Sequence, residues 1–192
     1  MSEEVLINVT PQETRVAVVE NGVLQEVHIE RARARGIVGN IYQGRVTRIL
    51  PGMQAAFVDV GLERAAFLHA SDVRVGLRDG TEPAASPGIS ELLHDGQDVV
   101  VQVVKDPLGT KGARVTTHVT LPARYLVYMP YSRHIGVSQK IGDDAERERL
   151  RAMLKSALEG DDSGGFILRT NAEEASDTEL ADDIAYLRKT WA

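Results

Sequence analysis

The stretch AAFVDVGLERAAFLHASDV, residues 55–73, holds two of the chain's three phenylalanines. Successive side chains of a strand point to opposite faces. With Val58 and Val60 directed into a core, Phe57 shares the outer face with Asp59. With Ala66 and Leu68 inward, Phe67 shares it with His69. Two rings turned toward water offer a stacking platform for flat partners, and a nucleobase stacked on an aromatic side chain contributes roughly 1–3 kcal/mol. His69, Lys111 and Arg114 are candidates for the hydrogen bonds and phosphate contacts that such a face needs. The competing reading puts one or both rings in the core through a bulge that shifts the alternation by one. Each polar neighbour is then ordinary surface.

A second candidate is Arg169-Thr170, at the end of GFILRT and just before a helix. A guanidinium and a hydroxyl at a strand end near a helix N-terminus suit an anion such as phosphate. The alternative is an ion pair between Arg169 and one of the thirteen acidic residues beyond position 140. No catalytic constellation appears. His28, His69, His94, His118 and His134 are scattered, without metal-ligand spacing, and neither a P-loop nor a GxGxxG is present. Most acids fall on helix faces and turns, and no carboxylate pair reads as a metal site.

These residues need elements to hold them. Residues 4–30 read as a β-meander with Asn21-Gly22 as a hairpin turn. Five strands between about 38 and 120, with glycines at the bends, predict a small closed barrel of OB type, whose second and third strands form the binding face. Residues 74–90 are rich in Gly, Pro, Ser and Asp and read as a long loop. After Pro122, YLVYMP, IGVSQK and GFILRT read as strands. Asp143 to Glu146 opens a helix with Leu150, Met153, Leu154 and Leu158 on one stripe. Ser176-x-x-Glu179 is a capping box for a second helix carrying Leu180, Ile184, Leu187 and Trp191. The fold class expected is α+β and β-rich.

Composition narrows the class. The chain has no cysteine, which excludes disulfides and thiolate zinc sites. Its start is acidic and unlike a signal peptide, and no apolar run is long enough to span a membrane. The expected compartment is cytoplasmic, with no membrane partner. A net charge of −6 weighs against a nucleic-acid binder. The charge is uneven, however. Residues 31–72 carry six Arg against Asp59, Glu63 and Asp72, a net of +3, and residues 105–140 carry six cations against Asp106, a net of +5. Two basic segments meeting on one face would restore the electrostatic footprint.

The motifs VGNIYQGRV, LPGMQAAFVDVG, AAFLHASDV, VQVVKDPLGTKGARVTT, YLVYMP and FILRT, in this order, resemble the amino-terminal part of the bacterial ribonuclease E/G family, most like its G branch. The resemblance runs the length of the chain. It implies the opening strands of a ribonuclease-H-like domain at 1–36, an OB-fold domain of S1 type at 37–122 and a 5′-end sensor region at 123–192. It also implies an RNA-binding role for Phe57, Phe67 and Lys111. A 5′-monophosphate is expected on Arg169 and Thr170, with Val127 lining the pocket. Two departures touch that pocket: Ala123-Arg124 stands where the E branch has a glycine, and Gln139 replaces an arginine.

The family comprises single-strand-specific endoribonucleases of rRNA maturation and mRNA decay. The complete enzyme is expected to be a homo-oligomer using magnesium on paired aspartates of a later domain. No counterpart of that domain is seen here, so the chain is expected to be a truncated form without cofactor or catalytic residue of its own. The partner expected is single-stranded RNA with a 5′-monophosphate. The rival reading is a stand-alone, non-catalytic RNA-binding or regulatory protein. Coding sequence directly downstream of Ala192 separates the two.

Overall fold

Alternating apolar runs broken by glycine turns give a chain dominated by strands. The structure, a computed structural model, describes residues 2–74, 87–158, 160 and 163–192. Most of the expected 74–90 loop lies outside the described residues. The chain divides into two compact units, Met1–Val38 and Gly39–Ala192.

The first unit is an antiparallel sheet of β1 (Glu3–Val9), β2 (Glu13–Glu20) and β3 (Val23–Arg31), in that order. Asn21 and Gly22 both take positive φ, 49° and 79°, as the two-residue hairpin turn requires. The meander is therefore as read from the sequence.

The second unit begins with a barrel. Its strands are β4 (Ile41–Leu50), β5 (Ala55–Asp59), β6 (Ala66–His69), β7 (Asp98–Lys105) and β8 (Arg114–Thr116). They close in the order β4-β5-β6-β8-β7, with β6 and β8 parallel and the other pairs antiparallel. This is a five-stranded closed barrel of OB-like form. Val46, Val58, Leu68, Val101, Val103 and Val115 fill it, and Ala55, Ala56, Ala66 and Ala113 keep it narrow. A single helical turn, α1 (Ile89–Leu92), buries Ile89 against the barrel. The last strand, β8, is only three residues long. It ends at Thr116, where the Thr116 hydroxyl turns to the Asp72 carbonyl (3.0 Å).

A four-stranded sheet follows in the order β11-β12-β10-β9, built from β9 (Leu121–Pro122), β10 (Leu126–Met129), β11 (Ile135–Val137) and β12 (Gly165–Leu168). Two helices, α2 (Asp144–Leu158) and α3 (Asp177–Trp191), cover one face. The expected stripes do this. Leu150, Leu154 and Leu158 of α2 and Leu180, Ile184 and Leu187 of α3 pack with Leu126, Tyr128, Phe166 and Leu168, while Met153 and Trp191 lie at the margin.

The capping box forms as expected: Ser176 N–H donates to Glu179 (3.0 Å) and Glu179 N–H to the Ser176 hydroxyl (3.3 Å). The other Glu179 oxygen accepts from the Tyr125 hydroxyl (2.7 Å), tying the start of α3 to the strand region. The Ser176 backbone N–H, then the Tyr125 and Ser176 hydroxyls, pull the Glu179 carboxyl from 4.5 down to about 2. Its pKa is thus lower folded than unfolded. The resulting stability is fully present above the unfolded value and is lost as pH falls from about 4.5 toward 2. Glu179→Gln is expected to flatten this loss, which thermal unfolding across an acid pH series measures. Equal slopes for the two proteins would contradict the assignment.

Candidate nucleic-acid interface

The alternation around Phe57 and Phe67 holds. Val58, Val60, Ala66 and Leu68 are buried, and both phenylalanines are half-buried on the outer face. The rings face each other across β5 and β6, edge to face, with centroids 6.3 Å apart. No bulge falls between them.

Bulges do occur in the flanking strands, and they complete the site. One between Val46 and Arg48 sets Arg48 opposite Phe57, and one between Val103 and Lys105 sets Lys105 opposite Arg114. Arg114 in turn lies opposite Phe67. Directly paired residues share a face. The row Arg48–Phe57–Phe67–Arg114–Lys105 therefore crosses all five strands, with the aromatic pair in the middle and cations on both sides. Strict alternation, which ignores bulges, could not place Arg48 and Lys105 in it.

Over part of this row lies a groove of about 830 Å³, with Phe57 and Phe67 in its lining. Met53 and Leu108, 60% and 80% exposed, form apolar lips. Lys111 joins from the β7–β8 hairpin, which is pinned by paired Leu108 and Lys111 backbone bonds (3.1 and 3.0 Å). Arg64 donates to the Gly109 carbonyl (2.6 Å) and fastens that hairpin to the β5–β6 connection. The two basic segments do converge: Arg48 and Arg64 come from the first, Lys105, Lys111 and Arg114 from the second. Arg64 and Lys105 were legible only as charge excess, and Met53 and Leu108 carried no signal in the sequence.

Two candidates hold other attachments. Arg114 donates twice to one Asp72 oxygen (3.1 and 2.8 Å), so its charge is offset while its position is fixed. His69 lies outside the groove lining. Its Nδ1 accepts from Ser71 N–H (3.2 Å) and lies 2.8 Å from the Ser71 hydroxyl, capping a short 3₁₀ turn.

Arg169 follows β12 on extended backbone. Its Nη1 donates to the Ala123 carbonyl (2.5 Å) and, at longer range, to that of Arg124 (3.5 Å). The ion pair considered as the alternative does not form with any described acid. Val127 pairs with Ile167, two residues before Arg169, so Val127 and Arg169 fall on the sheet face away from the helices. Thr170 starts a 3₁₀ turn, Thr170–Glu174, and α3 begins only at Asp177; the element directly after the strand is therefore not an α-helix. Gln139 is exposed on the segment after β11.

Among the described residues no group of three or more His, Asp or Glu is arranged to hold a metal ion. No helix among them is long and apolar enough to cross a membrane.

The molecule is thus a β-rich α+β protein built on an OB-like barrel with an aromatic and cationic band across its wall. A family model described as Ribonuclease E/G family matches residues 120–192. Ribonuclease G of Escherichia coli K12 is 58% identical over 199 residues, covering 100% of this chain and 40% of the relative. Ribonuclease G of Haemophilus influenzae is 58% identical, covering 98% of the chain and 39% of the relative. Ribonuclease E of a Nostoc species is 40% identical, covering 96% and 26%. The chain belongs to the ribonuclease E/G family. It spans about 40% of the length of the ribonuclease G relatives it matches.

Proposed function

We propose that this chain is the RNA-recognition portion of a ribonuclease G-like endoribonuclease acting in rRNA maturation and mRNA decay. The observation that carries the proposal is the cross-barrel row, in which two outward phenylalanines are flanked by cations. Stacking favours unpaired bases, since each base presents a π-face only when out of a duplex, and the cations follow the backbone. The OB-like barrel is read as S1 type, and residues 1–36 as the opening strands of a ribonuclease-H-like domain. The complete enzyme is read as a cytoplasmic homo-oligomer.

Magnesium is the metal expected of the complete enzyme. The described residues offer no fitting donor set, so no step of hydrolysis is derived from this chain. Its part is binding and orientation.

The second half of the proposal is a 5′-monophosphate site on Arg169, Thr170 and Val127. Arg169 supports it: with one nitrogen anchored on the Ala123 carbonyl, the exposed guanidinium is held in place rather than spent on a carboxylate. Charge-assisted hydrogen bonds to a terminal phosphate contribute about 1.5–3 kcal/mol. A preference of tenfold or more over a 5′-hydroxyl end is expected. The check is the affinity of one short RNA carrying a 5′-hydroxyl, monophosphate or triphosphate, for wild type and Arg169→Ala. Equal binding of the three ends by wild type, or an unchanged preference in the variant, refutes the sensor assignment.

A further inference from the structure

We infer that Asp183 is a positioning residue for Arg169, acting on it through two peptide units at the start of β10. Asp183 lies half-buried on α3, which packs on β10. One of its carboxylate oxygens, Oδ2, accepts from Tyr125 N–H (2.7 Å) and from Leu126 N–H (3.2 Å). The carbonyls of the same two peptide units meet Arg169. That of Arg124 accepts from Arg169 Nη1 (3.5 Å), and that of Tyr125 accepts from the Arg169 backbone N–H (2.8 Å). Each unit therefore carries the carboxylate on its N–H and the arginine on its C=O. Ala123, whose carbonyl takes Nη1 at 2.5 Å, belongs to the same turn: its own N–H donates to the Leu126 carbonyl (2.8 Å).

A direct ion pair would occupy the guanidinium. Here Asp183 and Arg169 form no salt bridge, and the negative charge reaches the arginine through polarised peptides instead. Hydrogen bonds in such a chain strengthen one another, and those that end on a carboxylate are roughly twice as strong as neutral ones. Arg169 lies on the sheet face away from the helices, so the turn carries the hold of α3 across the sheet. The bonds use Nη1 and leave Nε and Nη2 outside them. A planar guanidinium fork recognises phosphate through its orientation, and Asp183 sets that orientation without covering the fork. This inference rests on the reading of Arg169 as the residue that takes a 5′-monophosphate, and it names the group that orients it.

The experiment measures, for the 192-residue chain, the affinity of one 3′-labelled single-stranded RNA carrying a 5′-hydroxyl or a 5′-monophosphate. Wild type, Arg169→Ala, Asp183→Ala and Asp183→Asn are compared. The wild-type preference of tenfold or more for the monophosphate is expected to fall below threefold in Asp183→Ala, with the affinity of the 5′-hydroxyl RNA unchanged. Asp183→Asn keeps the size and an acceptor oxygen but not the charge, so it reads the role even where alanine loosens the fold. Its preference is expected between those of wild type and Asp183→Ala. Charge alone predicts the opposite sign, because removing an acid lowers the repulsion of a phosphate. In parallel, NMR of the free protein is expected to show separate, slowly exchanging Nη signals for Arg169 in wild type and their averaging in Asp183→Asn.

A wild-type preference in Asp183→Asn or in folded Asp183→Ala, with the preference lost in Arg169→Ala, overturns the positioning role and leaves the phosphate site standing. An equal loss of affinity for both ends also overturns it, since that is what a merely structural residue would give. If wild type binds the two ends equally, the phosphate site falls, and the Arg169 signals alone decide: averaging in Asp183→Asn supports the positioning, and unchanged signals refute it.

Discussion

Replacing Phe57 with alanine is expected to weaken single-stranded RNA binding by about 1–3 kcal/mol, and replacing Phe67 by a similar amount. The two losses are not expected to add. The rings touch edge to face, so removing either one loosens the other, and residues in contact couple. The fold is expected to lose far less than it would from a core phenylalanine. Phe166 supplies the comparison within the same molecule: it is fully buried among the helices and the C-terminal sheet. Phe166→Ala is expected to cost about 3–5 kcal/mol of stability, whereas Phe57 and Phe67 are half-buried on an outer face. Denaturant unfolding and RNA titration on the three variants test this pairing of effects. A loss of stability in Phe57→Ala as large as that in Phe166→Ala means that the ring is structural.

The second large effect is expected at Gly112. A Cβ there would lie 2.0 Å from the Ala65 carbonyl oxygen and 3.0 Å from its carbon. Those are backbone atoms and cannot swing aside. An alanine must push the entry of β8 away from β6, against the bond from Phe67 N–H to the Ala113 carbonyl (2.7 Å). Overpacking costs typically about 1–3 kcal/mol, and Gly112→Ala is expected at or above the top of that range. RNA binding should fall as well, because Lys111 precedes the displaced residue and Phe67 lies on the strand it pushes. Gly52→Ala is the control: its Cβ meets nothing within 4 Å. Denaturant midpoints decide the point. Equal midpoints for the two variants would show that the close approach is absorbed without consequence.

The legibility of this chain follows from which features are local. The barrel strands, the Asn21-Gly22 turn, both helix stripes and the Ser176–Glu179 cap are set by neighbours in sequence, and each appears where periodicity and capping place it. The outward phenylalanines were also local, since alternation over five residues decides them. The flanking cations were not. Arg48 and Lys105 reach the row only because a bulge in each strand moves them opposite their partners, and bulges leave no mark in an alternating pattern. The Arg114–Asp72 pair spans 42 positions, and the Arg169 contact with Ala123 spans 46. Contacts at that separation depend on how the sheets close. At Thr170 the strand is followed first by the 3₁₀ turn Thr170–Glu174, which no periodicity marks, and α3 starts at the Ser176 cap where the sequence places it.

The most direct test of the central claim follows individual side chains while RNA binds. A short 5′-hydroxyl single-stranded RNA is titrated into the isotopically labelled chain, and aromatic and amide resonances are recorded by NMR. Phe57 and Phe67 ring signals, with the amides of Lys105 and Lys111, are expected to shift together along one binding curve, and a duplex of the same sequence is expected to leave the rings unmoved. RNA that binds without moving either phenylalanine, or a duplex that moves them equally, would contradict the assignment of the barrel face as the single-strand site.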